Sequence, residues 1–147
     1  MREKVIAHLT ATAHAHRELV ASLPEPDLGR RLSERSNTIG AQIWCVVGAR
    51  ESYTRAIREG AWAGFDCSLS ASDTKIKGRV LEALDRSEEA LFEVLGDLAW
   101  TDAREHLLLD LLEHETQHQG QLIRFIYALG RPFPESWATR WALEHPG

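Results

Sequence analysis

Along most of this chain, apolar residues return every three or four positions, the spacing of an amphipathic helix and not of a strand. Residues 3–22 read as a first helix, with Ile6, Leu9, Ala13, His16, Val20 and Leu23 on one side and Pro24 and Pro26 stopping it. A polar connection over 24–36 follows. The second helix is predicted over 38–59, capped by Ser36 or Asn37, with Ile39, Ile43, Val46, Tyr53 and Ile57 as its greasy face. Beside that face runs a lane of small residues, Thr38, Ala41, Cys45, Gly48, Ala49, Ser52 and Ala56, where a neighbour can come close. Trp62, Phe65 and Cys67 fall in the 61–72 connection, which is expected to fold back over the bundle. A third helix is predicted over about 73–97, capped by Ser70, Ser72 or Asp73 and lined by Ile76, Val80, Leu84, Leu91, Leu95 and Leu98. The fourth starts at Thr101 or Asp102 and runs to Leu129, roughly 40 Å, before Gly130, Pro132 and Pro134 end it. The segment from Pro134 to Leu143 is predicted to add a short helix. Its Trp137 and Trp141 lie on one side, to close one end of the core or to meet a second subunit. The fold class is therefore all-α: a single four-helix-bundle domain over 1–147, with 61–72 too long for a tight hairpin and placed as a crossover between bundle corners.

Composition narrows the function classes. The 147 residues carry 17 basic and 22 acidic side chains, a net charge of −5, with no basic run, which argues against general nucleic-acid binding. No apolar stretch approaches the ~18 residues of a membrane span, and the N-terminus lacks the apolar region of a signal peptide. Two cysteines are too few for a disulfide framework, so a cytosolic protein with reduced thiols is expected. Cys67 reads as structural or incidental. It lies past the far end of the second helix from Cys45, a separation expected to be about 20 Å or more.

Chemistry concentrates at His114-Glu115-Thr116-Gln117-His118-Gln119-Gly120-Gln121. Four residues on a helix advance about 400° and about 6 Å, so the two imidazoles point the same way, one turn apart. One divalent metal can take a nitrogen from each at that spacing. The stripe Leu107, Leu111, His114, His118, Leu122, Phe125, Leu129 turns both rings toward the core. Ionisable groups there need partners, and either a metal or a buried hydrogen-bond network supplies them. His114 to His118 also spells H-E-x-x-H, but the extended metalloprotease form is missing. Gly120 stands two residues after the second histidine rather than three, and Glu135, Glu144 and His145 fall in the terminal tail. Gln121, one turn beyond His118, is placed to orient a metal-bound water or to bond a neighbouring helix. Glu115 sits about 100° from His114, as a flanking partner of the site or paired with solvent or a lysine. His16 points inward, as a core-edge histidine bonded to a carbonyl or water, or as a group lining the site.

The run from His114 to Ile123, followed by Leu129-Gly130 and Pro132, resembles the last-helix signature of the DinB/YfiT-like metalloenzymes. The segment Asn37 to Tyr53 is similar to that family's second helix, and Pro134-Glu135-Ser136-Trp137 fits its tail. The resemblance implies a four-helix bundle with an unusual crossover, often a homodimer. It also implies a three-histidine site for nickel or zinc, with one ligand from the second helix and two from the fourth. His114 and His118 take the fourth-helix positions, and position 45 takes the other, where this chain has cysteine. A thiolate with two imidazoles suits zinc better than nickel and leaves a fourth position open. Some relatives are metal-dependent transferases or isomerases that use low-molecular-weight thiols, which makes such a thiol and a small-molecule substrate the expected partners. The cysteine leaves a second reading open. The site has then lost its metal, no cofactor is held, and the chain is a small-ligand-binding module or a structural or stress bundle.

Overall fold

The computed structural model describes residues 1–144, so His145 lies outside the described residues. Among them are five α-helices and no strand: α1 (Arg2–Ser22), α2 (Ile39–Glu59), α3 (Lys77–Gly96), α4 (Asp102–Leu129) and α5 (Glu135–Trp141). The all-α class follows from the three-and-four apolar spacing, and the ends of α2 and α4 carry the signals that set them, whereas α3 starts after Ile76 with no side-chain cap. The hydroxyl of Thr38, not Ser36 or Asn37, caps α2 by accepting the Ala41 N–H at 3.0 Å. Thr101 does the same for Arg104 on α4. Gly60 (φ 82°) and Gly130 (φ 63°) end α2 and α4 in the left-handed region that glycine enters without penalty.

Three segments depart from the expected pattern. The third helix is broken at its start: Asp73–Lys75 makes a separate 3-10 turn, and Ile76, expected to line the core, is 46% exposed. The 24–36 connection is more than a polar strap. Its 3-10 turn Glu25–Gly29 buries Leu28 and also Asp27, whose carboxylate accepts from Arg131 at 2.7 and 3.2 Å. At Gly48 the small-residue lane of α2 meets loop rather than helix, while Cys45 in the same lane faces α4. A methyl on Gly48 would strike the Phe65 ring and the Cys67 Cβ, and one on Gly40 would strike the Thr74 carbonyl. The chain after Gly60 thus runs back along α2 toward Gly40.

Helix α2 packs on both α3 and α4, and α1 packs on the same two. Their apolar faces form two clusters. One joins Leu19 and Val20 of α1, Ile39, Ile43, Val46 and Val47 of α2, Val80 and Leu84 of α3, and Leu122, Phe125 and Ile126 of α4; fully buried Trp137 of α5 belongs to it. The other joins Leu9, Ala49, Ile57, Leu91, Leu95, Leu108 and Leu111. Between them each long helix buries a polar residue: Thr12 and His16, Arg50, Ser87, and Glu115. No helix is long and apolar enough to cross a membrane among the described residues.

Candidate metal centre

Cys45 from the first half of α2 and His114 and His118 from α4 come together. One donor atom from each lies within 4.8 Å of the other two. Cys45 Sγ is 3.5 Å from His114 Nε2, and the two imidazole rings meet edge to face with centroids 4.7 Å apart. Cys45 and His114 are half-buried, and His118 is 9% exposed.

Gln42 decides how His118 is presented. It lies one turn before Cys45, and its Oε1 is 2.9 Å from His118 Nδ1. An amide oxygen only accepts, so Nδ1 carries the proton and Nε2 keeps a free lone pair. A buried acceptor that fixes the tautomer in this way is the usual support of a metal-binding histidine. His114 has no such support: its Nδ1 is buried and has no partner among the described residues.

Electrostatics leaves the group nearly ready to ligate. Burial, followed by the neighbouring His114 and His16, pushes His118 down to about 4. Burial also lowers His114, so both rings are neutral at neutral pH. Burial raises the Cys45 thiol, which therefore keeps its proton until a cation displaces it. The group is two bare imidazoles and one thiol with a single proton to lose.

Glu115 takes a different place from the one expected. It is fully buried and pairs with fully buried Arg50, whose Nε and Nη2 both donate to its carboxylate, the second at 3.2 Å. Burial alone would raise the Glu115 carboxyl, but Arg50 and His16 overrule it and hold it at about 2. Neither solvent nor a lysine is its partner. His16 is fully buried beside this pair, its Nδ1 3.5 Å from both Arg50 Nη2 and Glu115 Oε2, while its Nε2 has no partner among the described residues. Burial lowers its pKa against the pull of Glu115, and the ring packs edge-on against Trp137. Gln121 is exposed and stands apart from the buried group.

The core face of α4 is accordingly Leu108, Leu111, Glu115, His118, Gln119, Leu122, Phe125 and Ile126, with Leu107, His114 and Leu129 at its margin. Apolar counting does not find Gln42 or Arg50, but the sequence holds a trace of both. The α2 stripe Ile39, Ile43, Val46, Tyr53 skips one step, and Arg50 fills it; Gln42 lies on the same side, next to Ile43.

Cys67 is also not where its sequence position suggests. Its thiol donates to the Trp44 carbonyl at 3.4 Å, which places it beside Cys45 and far inside the expected 20 Å separation. The returning loop carries it there, and burial pushes its pKa up to about 11. No protein-family model matches the chain, and no curated protein matches it either.

Proposed function

We propose that the chain is a DinB/YfiT-like four-helix bundle with a crossover connection, and that Cys45, His114 and His118 hold a zinc ion with one position left open. The supporting observation is the convergence of those three donors within 4.8 Å, at the positions the family resemblance assigns to ligands. The crossover reading draws on the shared neighbours of α1 and α2 and on the long return of 61–76 along α2. Zinc is favoured over nickel because a thiolate with two imidazoles matches its tetrahedral preference. An ion held there supplies Lewis acidity to a bound thiol or substrate oxygen, lowering its pKa into the neutral range. The protein's part is to present Cys45 and the imidazoles preformed, with Gln42 holding one ring. The reaction is thiol transfer, or another metal-assisted step, on a small molecule in the cytosol.

Protein purified without an affinity tag and titrated with zinc is expected to bind about one equivalent, and Cys45→Ser or His118→Ala to lose most of it. Less than about a tenth of an equivalent in the parent chain ends the metal reading.

One observation favours a metal-free alternative. Cys45 Sγ with His114 Nε2, and Gln42 Oε1 with His118 Nδ1, already lie within hydrogen-bonding distance without an ion. On that reading the group lines a ligand pocket, and His114→Ala alters small-molecule binding while metal content stays at zero.

A further inference from the structure

Two polar clamps hold Cys67 against α2. The Ser52 hydroxyl accepts the Asp66 N–H at 3.0 Å and donates to the Asp66 carbonyl at 3.1 Å. The Glu51 carboxylate accepts the Ser68 N–H at 2.8 Å and also the Ser68 hydroxyl. Both neighbours of Cys67 are therefore tied to consecutive residues of α2. The thiol itself sits on the Trp44 carbonyl, part of the peptide bond that leads into Cys45. The Cys67 Cβ is 2.9 Å from where a Gly48 Cβ would be, and Gly48 lies on the same helical face as Cys45, three residues on. Glycine at 48 opens the space that the second thiol occupies. Both cysteines are free and half-buried, so a small reagent has access to them.

We propose that Cys45 and Cys67 are a dithiol pair that closes to an intramolecular disulfide under a small-molecule disulfide oxidant, and that closure withdraws the sulfur donor from His114 and His118. Each step conserves atoms and electrons. The Cys45 thiolate attacks one sulfur of the oxidant, whose S–S bond breaks and releases one small thiol. Cys67 then attacks the Cys45 sulfur of the mixed disulfide and expels the second small thiol. Two protein thiols are oxidised, one disulfide is reduced to two thiols, and the two protein protons leave with them. Closure needs a Cβ–Cβ distance of about 3.5–4.5 Å, and residues 61–72, which contain no regular helix, are the segment that moves to reach it, within the clamps on Asp66 and Ser68. The loss of the donor rests on the zinc reading, whereas the cross-link itself does not.

The full chain, both zinc-loaded and metal-free, is incubated with oxidised glutathione at about pH 8.5, where more of each thiol is ionised. Intact mass is expected to fall by two hydrogens, a peptide map to join the Cys45 and Cys67 peptides, and dithiothreitol to reverse both. Loaded protein releases its zinc in step with the cross-link. Cys67→Ser instead stalls with one glutathione on Cys45. A parent chain that stalls at the same mixed disulfide, or that cross-links only between chains, overturns the proposal. A metal-free chain that closes the disulfide yet never binds zinc sinks the metal reading and leaves the dithiol pair standing.

Discussion

At the scale of single residues, the centre is asymmetric. His118 has its Nδ1 proton anchored on Gln42, while His114 has a buried Nδ1 with no partner among the described residues. An anchored ring offers one tautomer and one direction, and a ring without an anchor gives up part of its binding energy to being ordered. On the zinc reading, Gln42 therefore tunes the affinity of a site it does not ligate. Gln42→Ala is expected to weaken zinc binding about 10–100-fold at unchanged helix content, because the Nδ1 proton loses its buried acceptor. Gln42→Glu keeps an acceptor of the same reach and adds charge, so it should restore or exceed the parent affinity. Competition with a coloured zinc chelator reads both constants. Parent-like binding by Gln42→Ala would reduce the contact to packing.

At the scale of elements, α2 and α4 are pinned by a buried charge pair. Removing one member of such a pair costs about 3–5 kcal/mol because the other is left desolvated and alone, whereas replacing both by apolar groups of similar volume is often close to neutral. Glu115→Leu is thus expected to lose roughly that amount in urea unfolding, and Arg50→Met with Glu115→Leu to recover most of it. Additive losses would show that the pair does not act as a unit. The pH dependence has a definite sign. Glu115 is held at about 2, below its ordinary 4.5, so its stabilisation is complete above about 4.5 and is lost as pH falls toward 2. His16 is lowered from 6.5 by burial, so the fold prefers it neutral, and that preference is lost as pH falls from 6.5 through its folded value. Both groups destabilise on the acid side, His16 first. The step below 4.5 should be missing from Glu115→Leu when urea midpoints are followed from pH 7 downward. This pair also marks what the sequence hides. Leu111, His118, Leu122 and Phe125 are readable as a core face because their own spacing declares it. Glu115 is readable there only with its counter-ion, and Arg50 stands 65 residues away on another helix. Cys67 is hidden for a related reason: loop length does not reveal direction, and only Gly48 hints that something must pass close over α2.

At the scale of the whole molecule, the two apolar clusters meet across one polar belt, and α5 closes on that belt from outside. Within the belt His16, Arg50 and Glu115 link α1, α2 and α4, and Arg50 also donates to the Leu84 carbonyl of α3 at 3.4 Å, so these contacts fix the helices' mutual heights where pure apolar packing would let them slide. The candidate centre sits next to this level, since His118 is about one turn from Glu115 and Cys45 about one and a half turns from Arg50. Trp137 is fully buried over His16, and its indole N–H donates to the Ala15 carbonyl at 2.7 Å. Trp141 reaches further along α4 and donates to Gln119 at 3.2 Å. The two tryptophans that shared a side in the sequence thus bind different helices, α1 and α4, through their indole nitrogens. Trp137→Ala should cost about 3–5 kcal/mol, the loss of a large buried ring together with the space it leaves. Trp137→Phe keeps most of the apolar contact and gives up the hydrogen bond, so it should lose roughly 1–2 kcal/mol. Urea midpoints read by far-ultraviolet circular dichroism give the order directly. Equal losses in the two variants would mean that the N–H, rather than the ring, ties α5 to the bundle, and no loss in either would make α5 an appendage that the belt does not need.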